Sequence, residues 1–278
     1  MRGVATELRK LFSSKIFLLI ISAVFILNAY LIFRTAYSGE ITASDYTKVY
    51  AELEGKSDSE KLIWLDEQLN DYSHAPEYKW EVMAELYDEC QDIVDYKEYL
   101  ESIDAQAKSM TSVSIFSKPD TFNYRSIVKT PGAYENVRDV EPYFDVSKGL
   151  NLSLDNSFTD ILCGFILLFA VLTLMISDRE QGMSGLLFSL KRGREYLILS
   201  KFSALALTVF LTVIFIYSEN LIISSFIYGL GDLHRPIQSL SGFIGCNLKI
   251  SVIGYLVVFI LFKFIALFSI SAVLSFIA

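Results

Sequence analysis

Apolar residues gather into four long blocks along the chain, and charged residues gather between them. The first block runs from Ile16 to Phe33 without a charge and is stopped by Arg34. The second runs from Phe158 to Ile176. The third runs from Phe202 to Tyr228 and is interrupted by Glu219 and Asn220. The fourth runs from Ile250 to the last residue and contains Lys263. A helix needs about 20 mostly apolar residues to cross a bilayer, so each block is read as a membrane span. The pattern predicts an all-α fold: four transmembrane helices, with a mainly helical extracellular domain between spans 1 and 2. The first block is too long for the apolar core of a cleavable signal peptide and is read as a retained span.

Ahead of it, Val4, Leu8, Leu11 and Phe12 share one helical face, while Arg2, Arg9 and Lys10 lie off it. That pattern suits a helix lying in the headgroup layer. The expected divisions are an amphipathic helix over 1–15, spans over 16–34, 157–177, 202–228 and 250–278, and a helical insert over 35–156. A basic loop covers 178–201 and a short loop 229–249.

The insert reads as helical. Tyr46, Val49, Tyr50 and Leu53 share a face; Gly55 ends that run, and Ser57 or Ser59 caps a second helix reaching Tyr72. After Pro76 one long helix is expected to Met110, with Met83, Leu86, Cys90, Ile93, Lys97 and Leu100 spaced by threes and fours. Beyond Thr111 prolines and glycines predict turns and short helices, with a short strand near Ser112–Phe116.

Charge then orients the chain. The residues before span 1 carry net +3 and the 178–201 loop net +2, whereas 35–156 holds 11 basic and 25 acidic residues. Basic residues favour the cytoplasmic flanks of spans. The amino terminus and the 178–201 loop are therefore expected in the cytoplasm and the acidic insert outside, in a plasma membrane. The composition, 53% hydrophobic with a mean hydropathy of +0.41, excludes a plain soluble enzyme. Three cysteines in three separate segments, Cys90, Cys163 and Cys246, argue against a disulfide framework. No glycine-rich phosphate loop is present. His74 and His234 stand apart, outside any zinc motif. The acidic residues lack the spacing of a calcium loop. No catalytic, cofactor or metal residues are expected, and no nucleic acid partner.

Charges inside spans are functional candidates by default. Counting from the span ends puts Glu219 roughly 25 Å above the cytoplasmic surface and Lys263 roughly 20 Å below the outer one. About 15 Å of depth then separates them. Glu219 is expected to meet outer water or a neighbouring polar group, and Lys263 to snorkel toward the cytoplasm. Both are candidates for a substrate path.

The cytoplasmic loop carries the sharpest pattern. Glu180, Gly182, Met183, Leu186 and Leu187 make a short charged element with one apolar side, followed by Arg194 and by Lys201 at the start of span 3. This order resembles the type-2 ABC exporter permeases, whose loop at this place is the coupling helix that rests on the ATP-hydrolysing subunit. The leading amphipathic helix resembles that family's elbow helix. The insert, the stretch Phe122–Thr130 and the run Gly229–Ser239 resemble a bacterial branch of it. Met183 departs from the family's usual threonine, and Ser189-Leu190-Lys191 lacks its proline.

The resemblance implies a transport subunit that is not itself an enzyme. ATP and Mg would be held by a partner ATPase. A second permease subunit and membrane lipid would be the further partners. It also implies six spans where this chain has four, so a fragment or truncated product is expected. The alternative is a membrane-anchored sensor or binding protein using its acidic insert.

Overall fold

The computed structural model describes residues 2–38, 41–70, 78–113, 115–180 and 193–277. Its regular elements are helices: α1 (Arg2–Ser13), α2 (Lys15–Tyr37), α3 (Ala43–Leu53), α4 (Asp58–Asn70), α5 (Trp80–Val94), α6 (Tyr96–Ser112), α7 (Phe122–Ala133), α8 (Lys148–Leu154), α9 (Ser157–Glu180), α10 (Gly193–Ile227) and α11 (Val252–Ile277). Among the described residues the sole β pairing is an isolated bridge between Pro236 and Ser251. Among the described residues near Ser112–Phe116 the expected strand is not formed; α6 runs on to Ser112, and Ile115 and Phe116 are in a turn.

Lys15–Tyr37, Lys148–Ile176, Glu195–Ile227 and Val252–Ile277 are each long and apolar enough to cross a membrane. The protein is an all-α, multi-pass, membrane-embedded chain. It divides into two compact units.

The membrane unit comprises Met1–Ser38, Lys148–Gly229 and Val257–Ala278. Ser14 accepts from the Phe17 amide and caps α2, so the chain turns from α1 into the first span without a loop. Helix α1 packs against α9 and α10, burying Leu11 completely, while Phe12 stays partly exposed and meets Phe17 edge-on. The second span begins earlier than its sequence boundary, at Lys148, because Asp155 and Asn156 only interrupt the helix between α8 and α9. Helices α8 and α10 meet closely at Gly149, where a Cβ would lie 2.0 Å from the Gly229 carbonyl oxygen. Helix α11 meets α10 through aromatic pairs, Phe210 with Phe264 and Tyr217 with Phe259.

The insert unit comprises Gly39–Ser147 and Leu230–Leu256. A reciprocal cap between Thr42 and Asp45 starts α3. Gly55, at φ +78°, ends that helical run, and Ser57 with Glu60 starts α4. Helices α4 and α5 pack together. Met83, Leu86, Cys90 and Ile93 form the buried seam that their spacing predicts. The single long helix expected from there to Met110 is instead two, broken at Asp95. The break has a packing reason. A continuous seam would bring Lys97 inward; after the break Tyr96, Leu100 and Ile103 face the core with Val137 and Val140, and Lys97 reaches Glu141 in solvent. The Asp58 carboxylate and Lys61 then tie residues 143–146 to α4: the Phe144 N–H donates to the Asp58 carboxylate at 3.1 Å, and Lys61 donates to the Phe144 carbonyl at 3.2 Å.

Candidate functional site

Two regions carry the candidate residues: the loop between α9 and α10, and the polar side chains inside the spans. Of the loop, Gly182, Met183, Leu186 and Leu187 lie outside the described residues. Glu180 ends α9 and Arg194 is the second residue of α10; their side chains also lie outside what is described. Helix α10 starts at Gly193, so the last turns of the predicted loop are helix. Lys201 is therefore not the first residue of its helix but sits two turns in, only 7% exposed. Its Nζ donates to the Leu174 carbonyl of α9 at 2.6 Å. That bond clips together the two helices that carry the loop. At the same end the Gly3 N–H of α1 donates to the Tyr196 hydroxyl of α10 at 3.1 Å, and Lys10 pairs with the buried Glu7 at 3.0 Å.

Inside the spans, polar side chains from α2, α9 and α10 form one network. Asn28 donates through Nδ2 to the Glu219 carboxylate at 2.9 Å and to Asn220 Oδ1 at 2.7 Å. Its own Oδ1 accepts from the Thr159 hydroxyl at 3.0 Å. Asn220 Nδ2 donates to Thr159 Oγ1 at 3.0 Å and to the Ser153 carbonyl at 3.1 Å. Asn28 and Asn220 are fully buried, so hydrocarbon leaves them no other partner and the network is what makes their burial tolerable.

One residue along α9, Asp160 joins a second group. Lys263 of α11 pairs with it at 2.5 Å, and the Tyr217 hydroxyl of α10 donates to its other oxygen at 2.7 Å. The ammonium also lies 5.7 Å from the Tyr217 ring and 5.2 Å from the Phe259 ring. Asp160 and Lys263 line a groove of about 340 Å³ between α9 and α11, whose other walls are apolar apart from Ser271: Ile161, Leu167, Ile270 and Leu274 among them.

These positions correct the depth reckoning. Successive spans alternate in direction, so Tyr37, Lys148, Ile227 and Val252 mark one side. Asn28, Asp160, Glu219 and Lys263 all lie roughly 12–18 Å from it. Glu219 finds a polar neighbour, Asn28. Lys263 does not snorkel, because Asp160 stands level with it. Sequence reasoning missed Asn28, Thr159, Asp160 and Tyr217. A carboxylate three residues into an apolar block was the available signal for Asp160.

The run Gly229–Ser239 also finds a place: from Leu230 on it lies within the insert unit. Arg235 is buried; its Nη2 donates to the Val146 carbonyl at 2.7 Å and its Nη1 lies 3.9 Å from the Asp145 carboxylate. Asp145 in turn accepts from Tyr50 at 2.9 Å. The Tyr143 hydroxyl donates to Asp232 at 2.5 Å; burial, helped by that carboxylate, pushes the phenol up to about 12. The Asp232 carboxyl is held below its ordinary value, first by the Tyr143 bond and then by the His234 amide. These bonds fix the 230–236 segment to residues 143–146. Among the described residues, no three His, Cys, Asp or Glu side chains are grouped to hold a metal ion.

No family model, curated protein or solved structure matches this chain.

Proposed function

We propose that the chain is the membrane-spanning permease subunit of an ATP-driven exporter, served by a separate ATPase that docks on residues 178–201. The observation that carries this reading is the clamped end of the membrane unit. Helix α1 rests on α9 and α10, the two helices that hold the loop, and Lys201 bonds them to each other. A push on the loop is therefore passed to three helices together. That is what a subunit without an ATP site needs in order to convert a partner's nucleotide-dependent movement into two membrane conformations. Asp160 and Glu219 lie farther along α9 and α10, level with Asn28 of α2 and Lys263 of α11, where a substrate path would be gated. In this reading the loop is cytoplasmic and the acidic insert is outside, as the charge distribution suggests.

The test is capture of the ATPase subunit by full-length permease. Leu186→Ala with Leu187→Ala should weaken capture at least tenfold, since central anchor residues are worth about 2 kcal/mol each. Lys191→Ala should change it little. Equal capture by the leucine pair and wild type would overturn the docking assignment.

A further inference from the structure

The membrane unit holds a second groove. Its floor is Phe17 of α2, Ile166 of α9 and Thr208 of α10, all buried; Phe12 of α1, Leu18 of α2 and Phe215 of α10 form an exposed, apolar rim. All six residues belong to the membrane unit. The cavity measures about 280 Å³. The Thr208 hydroxyl donates back to the Ala204 carbonyl at 2.8 Å, so the floor presents no free donor.

The helices fix the depth of this groove. Tyr37 and Ile227 mark one side of the membrane. On α2 the groove runs from Phe25 to Phe17, roughly 18 to 30 Å from that side, and on α10 from Phe215 to Thr208, roughly 18 to 28 Å. Both counts place it beyond the midplane of a core about 30 Å thick, in the leaflet next to α1. Over a length of about 12 Å the volume makes a slot about 5 Å across. A helix, at about 10–12 Å with its side chains, does not fit such a slot; a single hydrocarbon chain does. A methylene is about the size of a water molecule in the liquid, roughly 30 Å³, so the groove takes about nine of them.

Cations flank the α1 end. Arg9 lies one turn before Phe12, and Lys15 one turn before Leu18. Both are exposed, and among the described residues neither makes an ion pair, whereas Lys10 is held by Glu7. We propose that the groove binds one acyl chain of an anionic phospholipid from this leaflet, with the phosphate on Arg9 and Lys15. Lipid tails are as apolar as the groove walls. The chain therefore gains close packing in a fixed slot, and the choice between lipids falls to the headgroup, at about fivefold per basic contact. A chain seated there touches α1, α2, α9 and α10, so the lipid completes the packing of the amphipathic helix on the spans. The inference rests on the spans alone and is independent of any ATPase.

The experiment uses full-length protein in nanodiscs. Trp64 and Trp80, both in the insert unit, are changed to phenylalanine, and Phe215→Trp places one reporter on the rim. A second preparation carries Phe262→Trp instead, at similar depth on the exposed side of α11. About one lipid in ten is phosphatidylglycerol brominated on its acyl chains, and the rest is phosphatidylcholine. Two basic contacts give a preference of roughly thirtyfold, so more than about half of the fluorescence at 215 should be quenched, against about a tenth at 262. Arg9→Glu with Lys15→Glu, which leaves the groove walls intact, and Thr212→Phe, which fills the slot, should each bring quenching at 215 down to the level at 262. Equal quenching of the two reporters in the unaltered groove would overturn the proposal. So would excess quenching at 215 that survives Thr212→Phe, which would seat the chain elsewhere, or quenching at 215 below that at 262, which would assign the groove to a protein segment. Brominated phosphatidylcholine that quenches position 215 as strongly as brominated phosphatidylglycerol would overturn the headgroup assignment.

Discussion

The Asp160–Lys263 pair offers a double-mutant test. Asp160→Leu removes the counter-charge 2.5 Å from the ammonium. The lone lysine keeps its places near the Tyr217 and Phe259 rings. A lysine at the centre of a spanning helix costs about 2.5–3.5 kcal/mol, and the rings return about 1. A loss of about 2 kcal/mol is expected. Lys263→Met should cost less, about 1 kcal/mol, because Asp160 keeps the Tyr217 hydroxyl at 2.7 Å and its side chain is 42% exposed against 25% for Lys263. The double variant replaces the pair by apolar side chains of similar bulk and should return to within about 1 kcal/mol of wild type. The coupling of about 2 kcal/mol would be read from SDS-driven unfolding of purified protein, followed by circular dichroism. A double variant whose loss equals the sum of the single losses, within about 0.5 kcal/mol, would refute the pairing. If the pair also gates a path, the double variant will be stable and defective in transport, which separates the two roles.

Two further outcomes follow from the packing and the electrostatics. Gly149→Ala drives a methyl into the Gly229 carbonyl and should destabilise the membrane unit by about 2 kcal/mol or more, whereas Gly164→Ala, where a Cβ meets nothing within 4 Å, should be silent; thermal melting in detergent compares the two. The Asp45 carboxyl is lowered from 3.8 to about 2 by the Lys79 ion pair and the Thr42 hydrogen bonds, so its contribution is complete above the unfolded value and fades as pH falls from about 4 to 2. Melting temperatures of wild type and Asp45→Asn should therefore differ at pH 5 and converge near pH 2, and a constant difference would contradict the assignment.

The spans, helices α3 and α4 and the α5 seam were legible because each rests on a repeated apolar spacing that a bilayer or a neighbouring helix enforces. The break at Asp95 was not. It satisfies a contact set, Tyr96 with Val137 and Val140, that joins residues far apart in the chain. The polar level inside the spans was half legible. Glu219 and Lys263 stand out as charges, but Asn28 and Thr159 are neutral and pass unnoticed in an apolar run. Asp160 was passed over as a span end, because Asp155 and Asn156 look like a boundary when α8 before them is already part of the span. The coupling loop was read from motif order, and Lys201 shows what motif order omits: whether a side chain points out to a partner or inward to the Leu174 carbonyl.

The Asn28 network also sets a timetable for biogenesis. Its partners Glu219 and Asn220 lie 191 and 192 residues later in the chain. Ribosomes add about 5–20 residues per second, so the first span waits roughly 10–40 s in the bilayer before its amide can be matched. Until the second span brings Thr159, 131 residues later, Asn28 can bond only to lipid, to water drawn inward or to another protein, and its Nδ2 waits longer still. The helices therefore close around this level late, after the third span has entered. A span 1 carrying Asn28→Leu would have no such wait, and would separate the need for a holding factor during synthesis from the stability of the finished fold.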